Sequence, residues 1–262
     1  MTTTLSPAHT ALLATVPIGT SMVVTTEVTY ESEGTTLVGY LAVDSALEGA
    51  RPGVLVIHDW LGVGEYVRVR CQMLARMGFV AFAPDIYGKG VRPGPAEAPA
   101  VAGSFYGNPS LMRSRVLAGL DELRAQPQLD QDRVAAIGYC FGGSVALALA
   151  ATGADIAGVV SFHGGLSPVS VEDAAGIKAG ILVLTGAADP VVPDEAVLAF
   201  ENSLRAAPDV DWQVVSYAGA MHAFTLPEVA APEQGANYQP LAERRSWTAM
   251  QNFFDEIFTK AV

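Results

Sequence analysis

From Gly53 onward the chain keeps returning to one rhythm: a short uninterrupted apolar run, a turn, then a helical stretch with one apolar face. The runs are "GVLVIHD", "FVAFAPD", "RVAAIGY", "IAGVVSFHG", "AGILVLTG" and "DWQVVSYAG". Strands apolar on both faces are buried on both faces, which is the pattern of parallel sheet. The intervening helical segments are "EYVRVRCQMLARMG", "SLMRSRVLAGLDELRAQ", "FGGSVALALAATG" and "PDEAVLAFENSLRAA", with a terminal helix from about Pro240 to Lys260. Alternation of this kind predicts an α/β fold: a doubly wound, mostly parallel sheet with helices on both faces. In such sheets ligands bind beyond the carboxyl ends of the strands.

Two features stand outside the rhythm. "MVVTTEVTYES" and "TTLVGYLAV", separated by Glu33 and Gly34, read as an opening hairpin or meander. The Gly/Pro-rich stretch 88–109 follows a strand end and, at about twenty residues, is long for a plain connection. Both a lid and an inert surface excursion fit it. Residues 1–22 lack a basic secretory n-region and are expected to form an N-terminal extension, with the compact domain spanning 23–262 and His9 solvated.

Half of the 262 residues are hydrophobic, enough for one large core. A net charge of −12 argues against nucleic acid or an anionic membrane surface as partner and favours a neutral or cationic small molecule. No apolar stretch reaches the roughly 18 residues of a membrane span. Two cysteines, Cys71 and Cys140, make no disulfide framework, so a cytoplasmic location is expected. Neither has metal-ligand spacing, and "GVGEYV" lacks the pattern of a dinucleotide site, so no metal or cofactor is expected. A homo-oligomer is compatible with the sequence.

The strand "RVAAIGY" runs through Gly138-Tyr139-Cys140-Phe141-Gly142 into a helix. Taken alone, the turn suits either a small core residue or a nucleophile raised at the end of the sheet. Glycine on both sides fits the second, because side chains there would collide with the neighbouring strand and helix. A helix N-terminus aimed at Cys140 also favours a thiolate. Such a nucleophile needs a base and a group to orient it, both at later strand ends. Asp189 follows "GILVLTG" and His222 follows "DWQVVSYAG", in the chain order of an α/β-hydrolase triad. Backbone N–H groups of Phe141 and Trp60 are the candidate oxyanion donors. Asp194 reads as the start of a helix, Cys71 as a structural residue, His58 as a hydrogen-bonded structural histidine, and His163 as a candidate pocket residue.

On "VIHDWLG", "GFVAFAPDIYG", "RVAAIGYCFGG", "VLTGAADPVVP" and "MHAF", the sequence resembles the dienelactone hydrolase family from about Val23 to Phe258. The resemblance implies the α/β-hydrolase fold, the triad Cys140, His222 and Asp189, and an oxyanion hole from Trp60 and Phe141. Family members that open dienelactones carry glutamate where this chain has Asp59, a carboxylate that takes part in activating the thiol. They also hold the substrate carboxylate with an arginine after the "PDIYG" segment, whereas this chain has no Arg or Lys between Arg92 and Arg113. Arg113 and Arg115 fall on the following helix, where solvation or ion pairing suits them. The expected activity is therefore hydrolysis of small neutral esters or lactones through a covalent cysteine intermediate. Leu61, Tyr87, Tyr106 and Phe224 are candidate pocket walls beside Trp60 and Phe141, with Asp59 as candidate thiol activator. Phosphotriester hydrolysis by the same triad and a non-catalytic reactive-thiol sensor are the alternatives.

Overall fold

A computed structural model of the chain describes residues 5–259. The opening hairpin joins β1 (Val23–Ser32) to β2 (Thr35–Asp44) through Glu33 and Gly34, both at positive φ (48° and 73°). Two left-handed residues twist a tight turn to match its strands, and glycine takes that conformation without strain. The remaining strands are β3 (Arg51–Ile57), β4 (Val80–Ala83), β5 (Leu129–Tyr139), β6 (Gly158–Phe162), β7 (Gly180–Gly186) and β8 (Trp212–Tyr217). They form an eight-stranded sheet in the order β1-β2-β4-β3-β5-β6-β7-β8. β2 pairs antiparallel with β1 and β4, and every pair from β4 to β8 is parallel. The expected mostly parallel, doubly wound sheet is the observed one.

Alternate side chains of each central strand enter different cores. Leu55, Ile57, Val134, Ala136, Ile181 and Val183 face one side, while Val54, Val56, Ala135, Ile137, Leu182 and Leu184 face the other. The first side is covered by α3 (Ala98–Tyr106), α4 (Pro109–Arg124), α5 (Phe141–Ala150) and α7 (Asp194–Arg205), with α6 (Val171–Gly176) beside α7. The second is covered by α1 (Pro7–Ala14), α2 (Glu65–Arg76) and α8 (Pro240–Thr259). Lys260, the expected end of the last helix, lies outside the described residues. No described helix is long and apolar enough to cross a membrane.

Two expectations are corrected. The described part of the N-terminal extension is packed into the body, because α1 lies along α2 and is tied to it at both ends. Glu65 accepts hydrogen bonds from Ser6 N–H and His9 Nδ1, each 2.7 Å, while Arg76 donates to Leu13 and Val16 carbonyls at 2.8 Å. His9, expected in solvent, is 6% exposed, and Leu12 beside it 4%. The stretch 88–109 carries α3, whose Ala98, Ala102 and Phe105 are buried against the first core. It is therefore more than a plain connection.

An unexpected ion pair braces the second core. Arg70 of α2, read from sequence as part of an amphipathic helix, is 1% exposed. It donates to Glu243 of α8 at 3.0 Å and to Tyr66 Oη at 3.1 Å, with its guanidinium over the rings of Tyr66, Tyr139 and Trp247. Removing one partner of such a pair strands a buried charge, which costs about 3–5 kcal/mol.

If α1 is part of the packed body, Leu12→Ala is expected to cost about 2–3 kcal/mol, within the usual range for an opened apolar site. Thermal unfolding checks this: the midpoint is expected to fall by roughly 4–10 °C, given the scaling for a domain of this size. An unchanged midpoint would mean that the helix does not pack in solution.

Candidate active site

The site is assembled at the carboxyl ends of β3, β5, β7 and β8. At the β5–α5 turn Cys140 is held at φ 54°, ψ −116°, a conformation costly for a residue with a side chain. The cost is imposed by crowding. A Cβ on Gly138 would lie 1.9 Å from the Gly142 carbonyl oxygen, and one on Gly142 would lie 2.3 Å from that of Ile57 in β3. α5 can thus start directly against the sheet only with glycine at both places. Cys140 N–H donates to Phe162 O in β6 at 3.0 Å, which fixes the turn from the other side. Its thiol is left half-buried at the helix N-terminus.

His222 Nε2 lies 3.1 Å from Cys140 Sγ, and its Nδ1 lies 2.9 Å from Asp189 Oδ2. Asp189 is itself anchored, its Oδ1 accepting N–H bonds from Val191 (2.8 Å) and Val192 (3.2 Å). The His222 backbone is clamped by a small bridge, donating to Gly235 O and accepting from Asn237 N–H, both at 3.0 Å. Burial pulls the His222 pKa down, but hydrogen bonds to Asp189 and Cys140 outweigh it and push it up to about 10. At neutral pH the ring therefore holds both protons, with one directed at each partner.

The other two strand-end histidines are neutral by burial. His58 is fully buried, which lowers its pKa to about 4. A neutral ring has one donor and one acceptor. His58 Nε2 accepts from Ile86 N–H at 3.2 Å, so Nδ1 donates to Asp59 O at 2.6 Å. Because a trans peptide points its C=O and N–H in opposite directions, this bond also aims the Trp60 N–H. Neither Trp60 N–H nor Phe141 N–H has a protein acceptor among the described residues. His163, weighed as a pocket residue, has no exposed surface. It bonds Thr225 Oγ1 at 2.7 Å and packs edge-on against the His222 ring at 5.3 Å. Its pKa is driven well down by burial, and the neighbouring His222 charge adds to this.

The expected walls divide. Tyr87 donates to Trp60 O at 3.2 Å and packs on Phe141 at 5.2 Å, while Tyr106 stands edge-on to Phe141 at 5.6 Å. Phe224 is fully buried between His163 and Tyr217 and offers a ligand no surface. Asp59 and Leu61 line a separate cavity of about 240 Å³ with His9 and Glu65, to which Cys140 contributes nothing. Asp59 Oδ1 accepts from Leu61 N–H at 2.7 Å, whereas the thiol is paired with His222, so the carboxylate is not the thiol's partner here. Burial raises the Asp59 pKa to about 6.

Arg113 and Arg115, and Arg92 before them, are engaged with protein partners. Arg92 reaches Asp85 and Val63 O, Arg113 pairs with Asp173, and Arg115 is buried on Ser32 O and Thr35 Oγ1. Among the described residues no three His, Cys, Asp or Glu side chains are grouped to hold a metal ion. Sequence reasoning missed Ser144, which donates to Gly165 O at 2.9 Å and meets Tyr106 Oη at 3.0 Å. Its spacing, one helical turn beyond Cys140, was the available signal.

The chain is similar to known proteins in sequence and in fold. A family model described as the dienelactone hydrolase family matches residues 37–258. A Salmonella typhimurium protein described as a candidate carboxymethylenebutenolidase is 29% identical, over 85% of this chain and 84% of its own. Among solved structures, a dienelactone hydrolase-like promiscuous phosphotriesterase from metagenomic libraries superposes with a TM-score of 0.86 and 39% identity. That match covers 90% of this chain and 98% of the other. A candidate dienelactone hydrolase from Klebsiella pneumoniae gives a TM-score of 0.74 at 26% identity, covering 89% and 99% of the two chains. With most of its length matched, and the fold to go with it, this chain belongs to the dienelactone hydrolase family.

Proposed function

We propose that the protein hydrolyses small neutral esters or lactones through Cys140, His222 and Asp189. The observation that carries this reading is the unbroken hydrogen-bonded chain from Asp189 through His222 to a thiol at a helix N-terminus. Cys140 reacts as the thiolate partner of the His222 imidazolium, and its sulfur attacks the substrate carbonyl carbon. The carbonyl π electrons move to oxygen, where the Trp60 and Phe141 N–H groups receive the charge. Collapse breaks the acyl C–O bond while His222 Nε2 gives its proton to the departing alkoxide. Neutral His222 then takes a proton from water, whose oxygen attacks the thioester carbon. The acid product leaves and the thiolate–imidazolium pair returns.

Substrate neutrality is supported by the engagement of Arg92, Arg113 and Arg115 with protein partners, and by the net charge of −12. An anion entering the site meets no free guanidinium fork and a repulsive field. Two free thiols fit a reducing, cytoplasmic setting. Phosphotriester hydrolysis is the second reading, favoured by the 39% identity to a promiscuous phosphotriesterase. In it the thiolate displaces an aryl oxide from phosphorus, and water then cleaves the P–S bond.

Cys140→Ala is expected to lower kcat/KM on p-nitrophenyl acetate by about 10³-fold or more, as loss of a nucleophile does elsewhere. Retention of full activity would remove the mechanism. On an alkyl lactone, whose leaving oxygen needs a proton, kcat/KM is expected to fall as pH rises through about 10 and His222 loses its acid proton. Asp189→Asn takes away the strongest contact that raises that pKa, so the alkaline limb moves to lower pH; an unmoved limb would assign it to another group. With diethyl p-nitrophenyl phosphate, release of p-nitrophenol beyond one equivalent supports turnover at phosphorus. A burst that stops at one equivalent limits the protein to carboxylic esters.

A further inference from the structure

Tyr106, Ser144 and Gly165 form a hydrogen-bonded joint in the wall of a cavity one helical turn from Cys140. Ser144 sits one turn beyond Cys140 on α5, its N–H 3.3 Å from Cys140 O. Since its single hydroxyl proton goes to Gly165 O, Tyr106 is the donor in the 3.0 Å bond between the two hydroxyls. Tyr106 ends α3 and is 48% exposed, so its ring can swing into solvent at the expense of that bond and of its edge contact with Phe141.

Behind this joint lies a cavity of about 200 Å³. Its walls include Met112, Leu147, Ala148, Val169 and Phe200, and Arg113 and Asp173 pair at its rim. The walls come from α3, α4, α5, α7 and the segment after β6, and neither the His222 loop nor the Trp60 loop contributes. The group that leaves must face His222 to be protonated, so the side away from that loop is left to the acyl group. At ~30 Å³ per water-sized group the space holds about six such groups.

We propose that this cavity is an acyl-chain subsite for unbranched aliphatic acyl groups of about four to eight carbons, entered when Tyr106 releases Ser144. The proposal rests on the Cys140 hydrolase reading and specifies its substrate class. Burying methylenes there favours longer chains by about three- to fourfold each in a fully apolar site. Partial access lowers that figure.

The test compares p-nitrophenyl acetate, butyrate, hexanoate and octanoate on wild type, Ala148→Phe and Val169→Phe. Both substitutions fill the cavity, from different elements, so one suffices if the other fails to fold. Wild type is expected to prefer hexanoate to acetate at least tenfold in kcat/KM, and each filled variant is expected to lose most of that ratio. Equal ratios in wild type and a folded variant would overturn the subsite. Binding is read separately: hexanamide is expected to raise the melting temperature of wild type and of Cys140→Ala, but not of Ala148→Phe or Val169→Phe. If Cys140→Ala hydrolyses acetate as fast as wild type, the hydrolase mechanism fails, and the hexanamide shifts still decide the subsite. Equal shifts in the filled variants reject it, and shifts confined to the open cavity support it.

Discussion

The site depends on how closely α5 approaches the sheet. With Gly138 and Gly142 allowing backbone to lie against backbone, the helix begins one residue after the strand ends, and Cys140 must take a positive φ. Strain of this kind persists only where the surroundings over-determine it. Here they do, through Cys140 N–H on Phe162 O and Cys140 O accepting from Gly143 and Ser144 N–H. The same approach leaves the Phe141 N–H without an intrahelical acceptor beside the thiol. One packing constraint thus sets the positions of both the sulfur and the Phe141 N–H beside it.

Charge at the site is sorted by burial and partners. Three histidines follow three parallel strands, yet only His222 has a carboxylate and a thiol hydrogen-bonded to it to offset the desolvation of its cation. His58 and His163 are fully enclosed and stay neutral, which lets His58 accept from one backbone group and donate to another. A protonated His58 would lose its bond from Ile86 N–H, and with it part of the register between the ends of β3 and β4. The neutral state of His58 is what lets it accept from Ile86 N–H while donating to Asp59 O, and the charge of His222 is offset by its bonds to Asp189 and Cys140.

How much of this was legible in the sequence follows the range of the forces involved. Strand and helix alternation is a local pattern, so the sheet, the elbow glycines and the order Cys140, Asp189, His222 could be read from spacing. Burial that depends on distant partners could not. His9 and Leu12 are buried because α2 lies beside them, and "ALLATVPIG" carries no charge pattern to announce that. Arg70 is buried because Glu243, 173 residues away, meets it. Phe224 sits in the expected loop, but loop position does not say which way a ring points, and it turned into the core rather than toward a ligand.

Asp59 illustrates what a one-methylene change does. Where the resemblance to dienelactone-opening family members implies a glutamate acting on the thiol, the shorter side chain turns back on its own loop, accepting the Leu61 N–H two residues on. Asp does this readily because its carboxylate reaches the backbone two residues ahead, and a longer chain overshoots. With that carboxylate engaged on its own loop, the thiol has His222 as its hydrogen-bonding partner. Arg92, Arg113 and Arg115 are likewise paired with protein groups. In each case a charged group that could have faced a ligand is held instead by a nearer protein partner.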